Sequence, residues 1–237
     1  DFNLFQSGHR RYDQTELGAW DDNAVAEGCF GEDCWRYVER DYGKKPAKPV
    51  LDGEPSYEWV VQGLHDKKQP YWKAADVRRY AYWNVFAGAA GHTYGHNSIM
   101  QFYDNLSEEG AFGARYLWSD AVHHPGGAQM IHLKRLMQSV DFTHGRPAED
   151  YLLEEQGEKY DYISVFAGED FLFAYTYTGR TISLSLEHYQ GKKLGAYWLD
   201  PVTGLQTFIC DVTGRMQMEF RPPEREDGTD AVLVIRT

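Results

Sequence analysis

The sequence predicts an α/β domain followed by an all-β domain. Up to residue 142, short apolar runs alternate with longer amphipathic segments, which is typical of strand-then-helix units. From about residue 160 onward, short strand-like runs are separated by turn sequences. The polar segment 143–147 lies between the two patterns, so we place the first domain at residues 1–144 and the second at residues 145–237.

The first domain contains three strand-then-helix units. The predicted strands and helices, in chain order, are residues 2–6, 23–42, 50–51, 76–87, 89–94 and 128–140. Asp76 is the expected N-cap of the second helix, because its carboxylate can accept a hydrogen bond from a free backbone N–H. A (β/α)8 TIM barrel needs eight such units. Either five units precede Asp1, as the start without an initiator Met suggests, or the chain forms a smaller open α/β arrangement.

The second domain predicts seven strands, at residues 162–166, 171–176, 181–186, 195–199, 207–212, 216–220 and 232–236. Strands with this length and spacing are typical of an antiparallel β-sandwich. Cys210 lies in the fifth of these strands, where we expect a buried thiol. Cys29 and Cys34 are near enough in sequence to form a disulfide if residues 30–33 make a turn, although two free thiols are the interpretation we favour.

Composition narrows the classes of ligand. Hydrophobic residues make up 42% of the 237 residues, which is ample for a core. A net charge of -12 repels phosphate backbones and anionic lipids, so we expect no nucleic-acid partner and favour a neutral or cationic ligand. No apolar run approaches the roughly 20 residues of a membrane span. No phosphate loop, serine-hydrolase elbow or Cys-x-x-Cys pair is present, so no cofactor is expected.

Three carboxylates follow the strand at residues 50–51, and they are the strongest candidates for catalysis. Glu54 lies between Gly53 and Pro55, which stiffen the backbone, and a fixed carboxylate suits a nucleophile that attacks an anomeric carbon. The alternative for Glu54 is a turn carboxylate that accepts backbone hydrogen bonds. Asp52 and Glu58 lie in the same segment as Glu54. Carboxylates this close together shift one another's pKa values, and shifted pKa values are typical of functional sites. The sequence leaves the role of Glu58 open.

Three histidines follow the three predicted strands of the first domain. His92 and His96 are four residues apart, but Gly91 and Gly95 predict a strand end and loop instead of the continuous helix that two zinc ligands would need. We therefore expect no metal and interpret both imidazoles, with Tyr94, as groups that hydrogen-bond sugar hydroxyls. His9 follows the first strand and is expected at the same rim.

Two further aromatic residues are candidates for the cleft, and two further histidines are not. Trp59 and Trp118 are the tryptophans best placed to stack on a sugar ring. His123 and His124 precede Pro125 and predict a loop, to which we assign no chemistry.

An ordered set of motifs resembles one known family. The motifs are residues 6–9 (QSGH), 48–58 (KPVLDGEPSYE), 78–83 (RRYAYW), 88–96 (GAAGHTYGH), 125–130 (PGGAQM) and 198–204 (WLDPVTG). Together they resemble the C-terminal part of the apiosidase-like glycoside hydrolases, which are secreted bacterial enzymes with a TIM-barrel catalytic domain and an appended β-domain named for collagen binding. Nearly the whole chain is covered by the resemblance.

This resemblance implies that the three units are the sixth to eighth of the barrel. Glu54 would then be the nucleophile. Our hypothesis adds His9, Tyr57, Glu58, His92, Tyr94 and His96 as the residues that bind the sugar. The general acid, an Asp near the fourth strand in this family, has no counterpart here. The chain would therefore need the N-terminal half of the barrel, covalently or as a separate chain, in order to be active.

The family also implies a substrate and a location. Its members act on plant cell-wall polysaccharide, with apiose-containing pectin as the best-known substrate, and they are secreted, periplasmic or on the bacterial cell surface. Two alternatives remain open. One is a non-catalytic carbohydrate- or matrix-binding protein that uses the β-sandwich, and the other is a metal-dependent hydrolase built on His9, His92 and His96.

Overall fold

A computed structural model describes residues 1–12, 30–224 and 229–237. The chain forms two compact units, one of residues 1–85 and 89–130, the other of residues 86–88 and 131–237. The first part of the helix predicted at 23–42, and Cys29 of the proposed Cys29–Cys34 pair, lie outside the described residues. Within the described ranges, no helix has the length and apolar character needed to span a bilayer.

The first unit is built on a three-stranded parallel sheet. Its strands are β1 (Asn3–Phe5), β2 (Val50–Asp52) and β3 (Gly91–His92), with β2 in the centre. Leu51 is paired with Leu4 on one side and with Gly91 on the other. All three predicted strands are confirmed. Because the strands are parallel, the segments that follow them leave the same edge of the sheet.

Five α-helices accompany this sheet in the residues that the structure describes. They are α1 (Cys34–Tyr42), α2 (Ala74–Phe86), α3 (Asn97–Met100), α4 (Trp118–Ala121) and α5 (Pro125–Gln138), the last of which extends into the second unit. The prediction that residues 30–33 are helical is wrong, because they form a turn in which Gly31 has a φ of 59°. Neither α3 nor α4 was predicted, since each has only four residues and shows no helical period.

The N-termini of α2 and α5 differ from the sequence prediction. Asp76 lies in the first turn of α2 and is not the N-cap; its Oδ2 accepts a hydrogen bond from the backbone N–H of Lys73 at 2.8 Å, as in a capping box. Helix α5 begins at Pro125, three residues earlier than predicted, because proline is well suited to the first helical position.

The second unit contains two antiparallel sheets. The order of the larger sheet is β4-β5-β6-β11-β8-β9, and β10 pairs with β7 in the smaller. The strands are β4 (Arg146–Pro147), β5 (Ile163–Ala167), β6 (Phe171–Thr176), β7 (Ile182–Ser185), β8 (Gly195–Leu199), β9 (Gln206–Asp211), β10 (Gln217–Phe220) and β11 (Ala231–Arg236). All seven predicted strands are present, and β4 is an addition.

One hydrophobic core joins these two sheets. It contains Leu172 and Leu233 from the larger sheet and Leu184 and Phe220 from the smaller, all buried. The expectation of a fully buried Cys210 is wrong, since its side chain is half-buried. The reason is that β9 is an edge strand with a single neighbour, and all six of its residues are partly or fully exposed.

Candidate active site

Asp52 organises the edge of the sheet from which the candidate residues emerge. Its buried carboxylate accepts hydrogen bonds from the Oγ and backbone N–H of Ser7, from Nδ2 of Asn84 at 2.9 Å, and from the backbone N–H of Glu54 at 3.3 Å. These hydrogen bonds favour the ionised form and lower the pKa of Asp52. Burial has the larger effect and raises this pKa to about 6. Asp52 thus connects the end of β1, helix α2 and the turn that carries Glu54.

We expect the titration of Asp52 to lower the free energy of unfolding of the wild type as pH rises from about 4 to about 6. The pKa of Asp52 is about 6 in the folded protein and 3.8 in the unfolded chain. Between these two values the folded state binds a proton that the unfolded chain has released, so the free energy of unfolding falls as pH rises. Relative to Asp52→Asn, the free energy of unfolding of the wild type should fall by about 3 kcal/mol across the window. Urea titrations at several pH values measure this difference; parallel pH profiles of the two proteins would contradict the assignment.

Glu54 is the most accessible of the three predicted carboxylates. Its side chain is 39% exposed, and its Oε1 lies 3.3 Å from Nε2 of the buried His9. The hydrogen bond from His9 lowers the pKa of Glu54 below its ordinary value, so this carboxylate is ionised at neutral pH. His9 itself has a φ of 73°, and its backbone N–H donates to Oγ of Ser56 at 3.0 Å. The turn after β1 is therefore held directly against the turn after β2.

Tyr57 borders the same carboxylate. Its ring is perpendicular to the imidazole of His9, with centroids 5.1 Å apart. The pKa of Tyr57 is raised by burial and by the charges of Glu54 and Asp52. Gly95 passes so close that a Cβ there would lie 2.1 Å from the Tyr57 ring. The absence of a side chain at residue 95 thus lets the loop after β3 reach the Glu54 segment.

Glu58 lies in a different environment from Glu54. Its side chain is buried, and Oε2 accepts hydrogen bonds from the hydroxyl of Tyr94 at 2.7 Å and from the backbone N–H of Gly126 at 3.1 Å. Burial raises the pKa of Glu58 despite these hydrogen bonds. Residue 58 also pairs with His96 through a parallel β-bridge. Glu58 therefore joins the loop after β3 to the start of α5.

The predicted histidines have separate partners. Nδ1 of His96 caps α3 by accepting the N–H of Ser98, and its Nε2 lies 2.9 Å from Nδ1 of His124. Burial lowers the pKa values of His92 and His96 to about 4, with the charge of His124 adding to the effect at His96. Neither ring nitrogen of His92 has a hydrogen-bond partner among the described residues. His9 contacts Glu54 and Tyr57, whereas His96 contacts His124.

Metal binding was an alternative for these histidines. In residues 1–12, 30–224 and 229–237, no group of three or more His, Cys, Asp or Glu side chains is arranged to hold a metal ion. The imidazoles of His92 and His96 are neutral at neutral pH because their pKa values are low, so they can act as hydrogen-bond donors or acceptors.

His124 is a site residue that the sequence interpretation missed. Besides contacting His96, its ring lies 4.7 Å from that of Tyr116 and 5.9 Å from that of Trp59. Its charge also acts on Glu58. Pro125 was the available signal: as the first residue of α5 it fixes His124 at the helix start. Trp118, the other cleft candidate, is 40% exposed and pairs with Phe102.

Two family models match the chain. One, described as "Apiosidase-like, catalytic domain", matches residues 1–144, and the other, described as "Putative collagen-binding domain of a collagenase", matches residues 147–236. No curated protein sequence matches the chain.

Solved structures resemble the whole chain. One, named "Glycoside hydrolase", is 42% identical with a TM-score of 0.88, and the match covers 100% of this chain and 52% of that one. Another, a glycoside hydrolase family 5 protein from Bacteroides vulgatus ATCC 8482, is 40% identical with a TM-score of 0.90, covering 100% and 50% respectively. The chain thus spans about half the length of these relatives.

Proposed function

Because the chain belongs to the apiosidase-like family of glycoside hydrolases, we propose that it is the C-terminal part of a glycosidase whose nucleophile is Glu54. In this proposal β1, β2 and β3 are the sixth, seventh and eighth strands of a (β/α)8 barrel. Their parallel order supports this, as does the position of Glu54 beyond the carboxyl end of β2, the end at which TIM-barrel enzymes hold their catalytic residues.

The difference between Glu54 and Glu58 is the observation that carries the proposal. A nucleophile must be ionised and accessible, and Glu54 combines a lowered pKa with a side chain that is 39% exposed. Glu58 is buried, has a raised pKa and uses its carboxylate to hold Tyr94 and Gly126. Its proposed contribution to substrate binding is therefore indirect, through the loops that it joins.

The reaction in this proposal is a double displacement. A carboxylate oxygen of Glu54 bonds to the anomeric carbon as the glycosidic C–O bond breaks, and a carboxylic acid outside these residues, on the N-terminal half of the barrel, protonates the leaving oxygen. That group, as its conjugate base, then deprotonates a water, which displaces Glu54. His9 holds the Glu54 carboxylate in position through their hydrogen bond.

The substrate in this proposal is plant cell-wall polysaccharide, with apiose as the sugar removed, and the enzyme acts outside the bacterial cytoplasm. Tyr57 and His9 border Glu54 and are placed to contact the sugar bound there. His92, with two buried ring nitrogens that lack partners among the described residues, has hydrogen-bonding capacity left for a ligand. Tyr94 and His96 complete the proposed set from the loop after β3.

Covalent trapping tests this proposal. A 2-fluoro glycoside with an activated leaving group forms the glycosyl-enzyme faster than it is hydrolysed, because fluorine slows both steps and the leaving group accelerates only the first. Mass spectrometry of the protein with a complete catalytic domain should therefore find the sugar on the peptide that contains Glu54. Digestion between Glu54 and Glu58, or fragmentation of the labelled peptide, assigns the ester to one of the two. A label on Glu58, or hydrolysis of the substrate without any label, would contradict the assignment.

A second candidate function belongs to the second unit. Its match to the collagen-binding model and a cleft of about 550 Å³ support a non-catalytic carbohydrate- or matrix-binding protein. The cleft is lined by side chains that include Arg146, Tyr151, His188 and Lys192. If this function is correct, the chain should be retained on insoluble plant polysaccharide or on collagen, and His188→Ala with Lys192→Met should reduce retention while Glu54→Gln does not.

A further inference from the structure

The buried carboxylate of Asp52 is saturated with hydrogen bonds, and one of them comes from the proposed nucleophile. A carboxylate can accept about four hydrogen bonds. Oδ1 of Asp52 accepts the backbone N–H groups of Ser7 and Glu54, each at 3.3 Å. Oδ2 accepts the hydroxyl of Ser7 and Nδ2 of Asn84. All of these donors are neutral, so the arrangement depends on the negative charge of Asp52 itself.

The turn after β1, which contains Gly8 and His9, packs directly against the turn that carries Glu54. The backbone N–H of Gly8 donates to the carbonyl oxygen of Glu54 at 2.9 Å. A Cβ at residue 8 would lie 2.5 Å from backbone atoms of the facing turn. The same turn brings Nε2 of His9 to 3.3 Å from Oε1 of Glu54. Because Asp52 binds Ser7, the residue before this turn, it holds Glu54 from both sides.

A proton on Asp52 removes part of this arrangement. One carboxyl oxygen then becomes a donor, so the N–H or O–H groups that face it lose their acceptor. Burial raises the pKa of Asp52 to about 6, whereas the pKa of Glu54 lies below its ordinary value of 4.5. The titratable neighbours Cys34, Tyr57 and His92 are all neutral near pH 6, because burial raises the first two pKa values and lowers the third. Of the two carboxylates in this turn, Asp52 is therefore the one that changes charge near pH 6.

We propose that Asp52 is a positioning residue, whose ionised carboxylate holds Glu54 and the turn after β1 in the geometry needed for attack on the anomeric carbon. When Asp52 is protonated, the two turns lose hydrogen bonds and the displacement slows, because a small shift of a reacting group costs much of the rate. This proposal rests on the assignment of Glu54 as nucleophile above and adds control of the same site by pH. It concerns the rate of the folded protein and is separate from the effect of Asp52 on stability.

The pH dependence of kcat/KM, measured on the protein with a complete catalytic domain, tests the proposal. The wild type should lose activity on the acid side with a midpoint near pH 6, above the range in which Glu54 itself is protonated. In Asp52→Asn this midpoint should fall below 4.5. At neutral pH this variant should show a kcat about 10- to 100-fold lower with KM changed less than about twofold, because an amide has one acceptor oxygen in place of two.

Ser7→Ala is a second variant, with the opposite expected shift. It removes a hydroxyl that favours the ionised form of Asp52, so the acid midpoint should rise by about one pH unit. A purely structural role would lower the rate without moving the midpoint in opposite directions. Asp104→Asn is the matched control, because it removes an exposed carboxylate in the same unit and should leave the profile unchanged.

Two results would overturn the role of Asp52: a wild-type acid midpoint below 4.5, or a midpoint that stays in place in Ser7→Ala and in Asp52→Asn. If circular dichroism shows that Asp52→Asn does not fold, the shift in Ser7→Ala decides. Failure of the glycosidase proposal has a different signature. No glycoside is hydrolysed, while the amide resonance of Glu54 in NMR spectra still follows the titration of Asp52; the hydrogen bond then stands, but neither residue acts in hydrolysis.

Discussion

Replacing Glu54 with glutamine is expected to lower kcat for glycoside hydrolysis by at least about 10³-fold, since the amide cannot form the covalent intermediate. The fold should survive, because the Glu54 side chain is 39% exposed and its one close ionic partner among the described residues is His9. The measurement is the rate of sugar release by the protein that carries a complete catalytic domain, together with the circular dichroism spectrum of the variant.

Two comparisons separate catalysis from structure in this experiment. Glu108→Gln removes an exposed carboxylate in the same unit and should leave the rate unchanged. Azide should restore turnover of an aryl glycoside by Glu54→Ala and yield a glycosyl azide, because a small anion can occupy the space of the missing carboxylate. A Glu54→Gln variant with near-normal rate would remove Glu54 from the role of nucleophile.

Replacing Arg79 with methionine is expected to destabilise the first unit by about 3–5 kcal/mol. Both partners of the Arg79–Glu32 pair are almost completely buried, with Nη2 and Oε2 2.7 Å apart, so the variant breaks a buried ion pair by removing its cation. Urea unfolding followed by tryptophan fluorescence measures the change, because six of the seven tryptophans lie at positions 20, 35, 59, 72, 83 and 118, within the first 130 residues.

An exposed ion pair in the same unit provides the contrast. Lys67 pairs with Glu109, and both side chains are more than half exposed, so Lys67→Met should change stability by less than about 1 kcal/mol. Replacing Glu32 with glutamine in the Arg79→Met background should recover part of the loss, since the buried negative charge that faced Arg79 is then removed. Equal effects of the Arg79 and Lys67 substitutions would contradict the importance of burial.

The strands were predictable because their signals are local. Strand β6 and strand β8 have the bounds that the apolar runs predict, and β2 extends the prediction by one residue. Helix starts were less predictable, because several residues near a helix N-terminus can supply a cap. Asp76 illustrates this: its carboxylate does accept an N–H, but from Lys73, three residues before it, whereas an N-cap side chain accepts from a residue two or three positions after it.

The site was predictable as a set of residue types but not as a set of contacts. Glu54 and Glu58 look equivalent in the sequence, and only the fold shows that one is accessible beside His9 while the other is buried against Tyr94. The pairing of His96 with His124 depends on residues that are 28 positions apart. A sequence pattern reports neighbours along the chain, whereas these contacts depend on how the loops after β2 and β3 fold back.

The hydrogen bond between Glu58 and Gly126 has a consequence for how this sequence can change over time. A Cβ at residue 126 would lie 2.3 Å from Oε2 of Glu58, so any side chain there displaces the carboxylate. Shortening residue 58 would make room but would also release the Tyr94 hydroxyl and the first turn of α5. Residues 58 and 126 are 68 positions apart in the sequence. We therefore expect a substitution at either position to be tolerated only when the other position is also substituted.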